Sequence, residues 1–96
     1  MFCNDMGTEQ KAGFMAKLGV DAWPPATYTY TDWAFAPKAI PATFILCLQD
    51  NVLPPVWQER FVDRYGCERC IRVDAGHQVM NTRPEALAEI LRYEVR

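Results

Sequence analysis

Serine is missing from this chain of 96 residues, and histidine occurs once, at position 77. The first absence excludes a serine nucleophile among these residues, and the second leaves one imidazole for any acid–base work. Charge of one sign is also scarce. Ten basic residues stand against 12 acidic ones for a formal −2, so the chain carries no surplus for a polyanion and nucleic acid is not an expected partner. Long hydrophobic runs are lacking too. The longest is a handful of residues, Phe44-Ile45-Leu46-Cys47-Leu48, far short of the ~20 that a membrane-spanning helix needs. The amino terminus, Met1-Phe2-Cys3-Asn4-Asp5-Met6-Gly7, has neither a basic start nor an apolar core, which argues against a signal peptide and makes a cytoplasmic chain the expectation. No internal repeat or low-complexity tract interrupts the chain. With 50% apolar residues, disorder is not expected, and the length allows one small domain, near the lower end of the usual range of roughly 50 to 250 residues.

What is present is organised around two apolar runs. In Ile71-Arg72-Val73-Asp74-Ala75-Gly76-His77, β-branched residues stopped by glycine read as a buried strand, with a loop that aims His77 off its end. The run at 42–48 shows no polar alternation, the pattern of a strand covered on both faces in a parallel sheet, and Gln49 and Asp50 follow it. Each strand therefore delivers one ionisable side chain just past its carboxyl end. In open parallel α/β sheets that rim is where ligands and catalytic groups collect, and an aspartate that orients a histidine is half of a nucleophile-activating relay. Both residues also have plainer readings. Asp50-Asn51 fits turn chemistry ahead of a helix, and a lone loop histidine commonly pairs with a backbone carbonyl. Asp74 reads as a surface or loop-stabilising carboxylate.

Around the strands, Thr8 can cap a helix over 9–18 that puts Phe14, Met15 and Leu18 on one face, turns Glu9, Gln10 and Lys11 to water, and stops at Gly19. From 20 to 41 the chain is dense in proline and aromatics, with Trp23-Pro24-Pro25, Tyr28, Tyr30, Trp33, Phe35, Pro37 and Pro41. It reads as an irregular segment lying on the core, as a packed connector, a pocket wall or both. Pro54-Pro55 starts a helix with Trp57, Phe61, Val62 and Tyr65 as its apolar stripe and Gly66 as its stop. Thr82-Arg83-Pro84-Glu85 has the form of a capping box, and Leu87, Ile90, Leu91 and Val95 line the inner face of the last helix. The order is helix, irregular segment, strand, helix, strand, helix. Strand, helix and parallel strand make one crossover unit, and the fold class is α/β. Three helices cannot cover two such apolar strands on both sides, and a chain this short buries only roughly 60 to 65% of its unfolded surface. The expectation is the carboxyl-terminal portion of a larger sheet. The edge of the 42–48 strand is then left open to self-association or to pairing with another chain.

The four cysteines are Cys3, Cys47, Cys67 and Cys70. Cys47 lies inside an apolar run and behaves as a small hydrophobe. Cys67-Glu68-Arg69-Cys70 has the spacing of zinc knuckles and redox dithiols. A structural zinc needs about four ligands, and no second pair is spaced for it. A redox pair places its first cysteine at a helix start, whereas Cys67 follows an apparent helix end. Reduced structural thiols, without metal or cofactor, are expected. A thiol or zinc module remains the least favoured alternative.

Four stretches together resemble the carboxyl-terminal third of the α/β-hydrolase fold. They are Pro41-Ala42-Thr43-Phe44-Ile45-Leu46-Cys47-Leu48-Gln49-Asp50, Pro54-Pro55 with Gln58, Val73-Asp74-Ala75-Gly76-His77-Gln78-Val79-Met80, and Arg83-Pro84-Glu85-Ala86-Leu87-Ala88. The likeness is to the small esterase branch that includes bacterial alkyl-salicylate-type esterases, plant methylesterases and hydroxynitrile lyases. It implies one partial domain over 1–96, with 1–41 as the end of the lid, including Phe2-Cys3-Asn4-Asp5, and 42–96 as the last two core strands and their helices. Asp50 and His77, 27 positions apart, then hold the posts of triad acid and triad base, and a small carboxylic ester is the implied substrate of the complete enzyme. Hydroxynitrile lyases of this branch carry a lysine directly after the histidine, so Gln78 favours ester hydrolysis. The Gly-x-Ser-x-Gly elbow and the oxyanion loop of such enzymes are not among these residues, so the chain alone is expected to be inactive. An aspartate nucleophile, as in the dehalogenase and epoxide-hydrolase branches, stays open, and so does a non-catalytic chain that pairs with another.

If Cys67 and Cys70 are only structural thiols, a chelator is expected to leave the circular dichroism spectrum and melting curve unchanged, because folding does not wait on metal. Stoichiometric zinc by elemental analysis, with unfolding on its removal, is the result that selects the zinc module instead.

Overall fold

The β-branched and aromatic residues at 43–47 form a strand, and its parallel neighbour is Arg69–Val73, which begins two residues ahead of the expected run at 71 and ends before Gly76. The computed structural model describes residues 1–20, 22–29 and 40–95. In order the elements are α1 (Thr8–Ala16), a 3-10 turn (Pro25–Tyr28), β1 (Thr43–Cys47), α2 (Pro55–Tyr65), β2 (Arg69–Val73), α3 (Val79–Thr82) and α4 (Pro84–Glu94). The two strands pair in parallel, from Thr43 opposite Arg69 to Cys47 opposite Val73, with α2 as the crossover. The pairing runs on past the strands, since Leu48 N–H donates to Val73 O and Gln49 N–H to Ala75 O, both at 2.9 Å. The fold is thus of mixed α/β class, built on a two-stranded parallel sheet among the described residues.

Burial is concentrated at the carboxyl ends of the strands. Residues 43–45 are half-buried, whereas Leu46 is 0% exposed and its neighbour Cys47 is buried as well. Because successive side chains leave a strand on opposite faces, both faces of β1 are covered at this end only. Val73, Ala75 and Cys3 complete the apolar cluster. Leu48, Val56, Trp57, Phe61 and Leu91 are among the large apolar side chains left exposed, so much apolar surface remains open.

Gln58, 3% exposed, is the residue that α2 buries. Its Oε1 accepts from Cys47 N–H and its Nε2 donates to Cys47 O, both at 2.9 Å, and Nε2 also donates to Leu53 O at 2.7 Å. The side-chain amide thus serves one residue of β1 as a neighbouring strand would, and ties the 48–53 loop to the strand. At the opposite end of the sheet Glu94 of α4 accepts from Thr43 Oγ1 at 2.6 Å and pairs with Arg69, the two residues that face each other in the register.

Several local expectations differ from what is observed. Gly66 does end α2: it sits at φ 72°, and the N–H groups of Gly66 and Cys67 return to carbonyls of Val62 and Asp63 at 3.0 to 3.2 Å, the αL closure that glycine adopts without steric cost. Trp57, Phe61 and Tyr65, however, are exposed, and only Val62 of the expected stripe is half-buried. A two-stranded sheet offers too narrow a platform for the rest, and Trp57 lies instead under the Arg60 guanidinium, 4.6 Å from the ring centroid. In α4, Leu87 and Ile90 turn inward with Ala86 and Glu94, while Leu91 faces out and Val95, just past the helix end, is exposed. Thr8 is the first residue of α1 and Gly7 its cap, without a side-chain hydrogen bond, and the helix ends at Ala16 rather than Gly19. Met15 and Leu18 are exposed. Of the expected apolar face only Phe14 is half-buried, and Gln10, one turn before it, donates from Nε2 to Asn81 O at 2.9 Å. Thr82 closes the one-turn α3 and Arg83 takes the cap position of α4, so no capping box forms, and the Thr82 hydroxyl donates to Asp5. In the proline-rich segment Trp23 is exposed rather than laid on the core, and Tyr30, Trp33, Phe35 and Pro37 lie outside the described residues.

Replacing Gln58 by leucine keeps the volume and leaves Cys47 N–H, Cys47 O and Leu53 O without the amide. Each buried backbone group so orphaned costs about 1 to 3 kcal/mol. The expected outcome is a urea midpoint clearly below wild type, and Gln58→Glu, which keeps only the acceptor, should fall as well; equal midpoints would show that the amide is dispensable.

Candidate active site

The loop after β1 is shaped by one carboxylate. Asp50 is 6% exposed, and its two oxygens divide the work. Oδ1 accepts from Val52 N–H at 2.8 Å and Leu53 N–H at 2.9 Å, which folds the chain back into the turn that precedes α2. Oδ2 lies 2.9 Å from Nδ1 of His77. The plain turn reading of Asp50 and the histidine-orienting reading therefore hold at the same time, one on each oxygen.

His77 arrives from the loop after β2. Ala75 and Gly76 are buried, Ala75 N–H turns back to Val73 O at 2.9 Å, and the imidazole comes out beside Asp50 with its side chain 34% exposed. Among the described residues no hydrogen bond engages Nε2, so one ring nitrogen is held and the other is open. Burial by itself pushes the Asp50 carboxyl up, but the Leu53 N–H, the His77 ring and the Val52 N–H together outweigh it and hold the group below the ordinary carboxylate value. An ionised carboxylate can only accept, so the neutral imidazole carries its proton on Nδ1 and offers the Nε2 lone pair outward. That is the arrangement of a general base poised for a proton donor.

The donor is not among the described residues. Cys47 stands three residues before Asp50, yet burial, with the charges of Asp50 and Asp5 adding to it, pushes its thiol up and keeps it protonated. Asp74 is exposed and accepts from Gln49 Nε2, a loop contact rather than a role at the ring. Gln78 starts α3 and accepts from Asn81 Nδ2 at 3.2 Å. Cys67 lies just past the end of α2 and Cys70 within β2, and all four cysteines are free thiols. Among the described residues no group of three or more histidine, cysteine, aspartate or glutamate side chains is placed to hold a metal ion, and no helix is long and apolar enough to cross a membrane.

Three residues of the stretch likened to a lid end, Phe2, Asn4 and Asp5, were not expected at the pair itself. Asp5 accepts at Oδ2 from Gly76 N–H and from Thr82 Oγ1, both at 2.7 Å. Burial raises its carboxyl, but these two donors and the nearby Arg83 charge bring it below the ordinary value. Asn4 Nδ2 donates to Gln49 O at 2.6 Å, and the Phe2 ring stands edge-on to the imidazole with centroids 5.2 Å apart. These contacts span from 45 to 77 residues of chain, a distance at which local pattern says nothing. No known protein family, curated protein or solved structure matches the chain.

Because the folded carboxyls of Asp50 and Asp5 lie below the unfolded value of about 3.9, their contribution to stability is complete above that value and is lost as pH falls through the folded one. Urea midpoints are therefore expected to drop from about pH 5 to about pH 2, and to drop less in Asp50→Asn, which has no such proton to take up. Equal losses in the two proteins would remove Asp50 as a source of the acid sensitivity.

Proposed function

We propose that this chain is the acid-and-base portion of an α/β-hydrolase-type enzyme that cleaves small carboxylic esters, with Asp50 as the acid and His77 as the base. The observation that carries this reading is the 2.9 Å contact of His77 Nδ1 with a buried, backbone-anchored Asp50 oxygen. Two parallel strands present the pair on the loops at their carboxyl ends, and Nε2 is left open. In that reaction Nε2 takes the proton of the attacking hydroxyl as it adds to the ester carbonyl, then returns it to the departing alcohol; Asp50 stabilises the imidazolium between the two events. The hydroxyl and the oxyanion donors belong to sheet elements beyond these 96 residues. The apolar surface left open on Leu48, Trp57 and Phe61 supports a larger sheet against which this one packs.

The same open surface favours a second reading, in which the chain has no catalysis of its own and persists by self-association or by pairing with another chain through the edge of β1, which among the described residues has no partner strand. The coding sequence upstream of Met1 separates the two. An in-frame continuation that encodes a Gly-x-Ser-x-Gly elbow supports the hydrolase, and a stop codon with a ribosome site supports the other.

The 96-residue chain alone is expected to hydrolyse p-nitrophenyl acetate no faster than buffer, since even a single oxyanion donor is worth about 10²- to 10³-fold. In the product of a longer frame, His77→Ala and Asp50→Asn should each lower kcat, the latter by as much as on the order of 10⁴-fold. Turnover by the short chain that His77→Ala abolishes, or a long product indifferent to both changes, is incompatible with the proposal.

A further inference from the structure

The segment ahead of α1 fastens to the candidate site at both halves of the pair. Asn4 Nδ2 holds the carbonyl of Gln49, the residue before Asp50, at 2.6 Å. Asp5 Oδ2 holds the N–H of Gly76, the residue before His77, at 2.7 Å, and the same oxygen takes the Thr82 hydroxyl at 2.7 Å. The fit around Gly76 is close. A Cβ there would lie 2.5 Å from Asp5 Oδ1 and 3.0 Å from Asn4 Oδ1, so glycine at this post serves the approach of residues 4 and 5. Phe2 then stands against the imidazole itself, 5.2 Å between centroids with the planes at 74°, although the ring is nearly half exposed and adds little to the core.

We infer that residues 2–5 are a positioning device for the pair: Asn4 and Asp5 fix the backbone on the amino side of Asp50 and of His77, and Phe2 confines the imidazole to the rotation that turns Nδ1 to Asp50. The physical reason is that both side chains leave from loops. A loop backbone with few buried contacts opens at little cost, and a hydrogen bond of 2.9 Å between two loop side chains persists only if both attachment points are held. The sheet fixes the amino side of each loop through Leu48 N–H and Gln49 N–H, and Gln58 fixes Leu53 beyond Asp50. Between Ala75 and α3, Asp5 supplies the corresponding restraint. Phe2, Asn4 and Asp5 are positioning residues; none of them takes a proton in the reaction. The inference rests on Asp50 and His77 as a working pair and not on which reaction they serve.

Because His77 is the only histidine, its imidazole nitrogen-15 and proton resonances form one set with no competing signal. In wild type the long-range nitrogen–proton spectrum above the imidazolium range is expected to show one dominant tautomer, with the proton on Nδ1. Asp5→Ala should collapse this into an averaged mixture of tautomers, and Asp5→Asn, which keeps one oxygen for Gly76 and Thr82, should restore it. Phe2→Ala should move the ring-proton resonances and broaden the tautomer signature while leaving the thermal melt near wild type. Should Asp5→Ala fail to fold by circular dichroism, Phe2→Ala decides alone. Imidazole signals unchanged in Phe2→Ala and in a folded Asp5→Ala, or a wild-type chain that already shows the averaged mixture, overturn the inference. The readout needs no substrate, so its failure is distinct from absence of ester hydrolysis in a longer product.

Discussion

A buried carboxylate that keeps its charge is the constraint on which the rest of this small structure depends. Removing such a group from water without partners costs several kcal/mol, and Asp50 is tolerated because both of its oxygens are engaged. Satisfying Oδ1 bends residues 51–53 into a turn that points Pro54 and Pro55 into α2. Satisfying Oδ2 demands a donor from outside the loop, and the single histidine supplies it. The helix start, the loop and the imidazole are thus parts of one hydrogen-bonding problem, and its solution leaves Nε2 of His77 without a hydrogen bond among the described residues.

The setting of that carboxylate explains where the protein is dense and where it is open. Leu46, Cys47, Val73, Ala75 and Cys3 gather at the carboxyl ends of the strands, beneath the loops that carry Asp50 and His77. The other end of the sheet is held mainly by Glu94 across Thr43 and Arg69, and at the partly exposed Arg69 pair such a bond stabilises only modestly. Packing is therefore best where geometry matters to the pair. The exposed Trp57, Phe61 and Leu91 lie on helices whose inner strips match a two-stranded sheet but whose apolar faces are wider than the sheet is.

Gln58 and Asp5 have similar jobs at two scales. Each is a polar side chain that takes the place of backbone pairing, Gln58 beside Cys47 at the edge of β1 and Asp5 beside Gly76 after β2. Short parallel strands leave N–H and C=O groups at their edges and ends that must be paired in a buried setting. Side-chain amides and carboxylates do this without a third strand, at the cost of specifying which residue stands at each post.

Much was legible in the residues alone, because the signals are local. The two strands, the crossover helix, the glycine stop at Gly66 and the placement of Asp50 and His77 past strand ends follow from β-branched runs, proline, glycine and chain order, each acting over a few residues. A strand pattern also implies a rim, so the pair could be proposed before any distance was known. The tertiary structure alone decided which helix faces are inward, since the width of a helical contact depends on how many strands lie beneath it, and Leu91 lost that contact. It alone brought the Thr82 hydroxyl to Asp5, because an ionised oxygen from 77 residues away, at 2.7 Å, is a stronger acceptor than the Gln78 carbonyl, 3.4 Å from the same hydroxyl. Composition and spacing name the residues that can orient a histidine; only the folded backbone brings Phe2, Asn4 and Asp5 to it, because long-range contact depends on the path of the whole chain and leaves no periodic trace in the sequence.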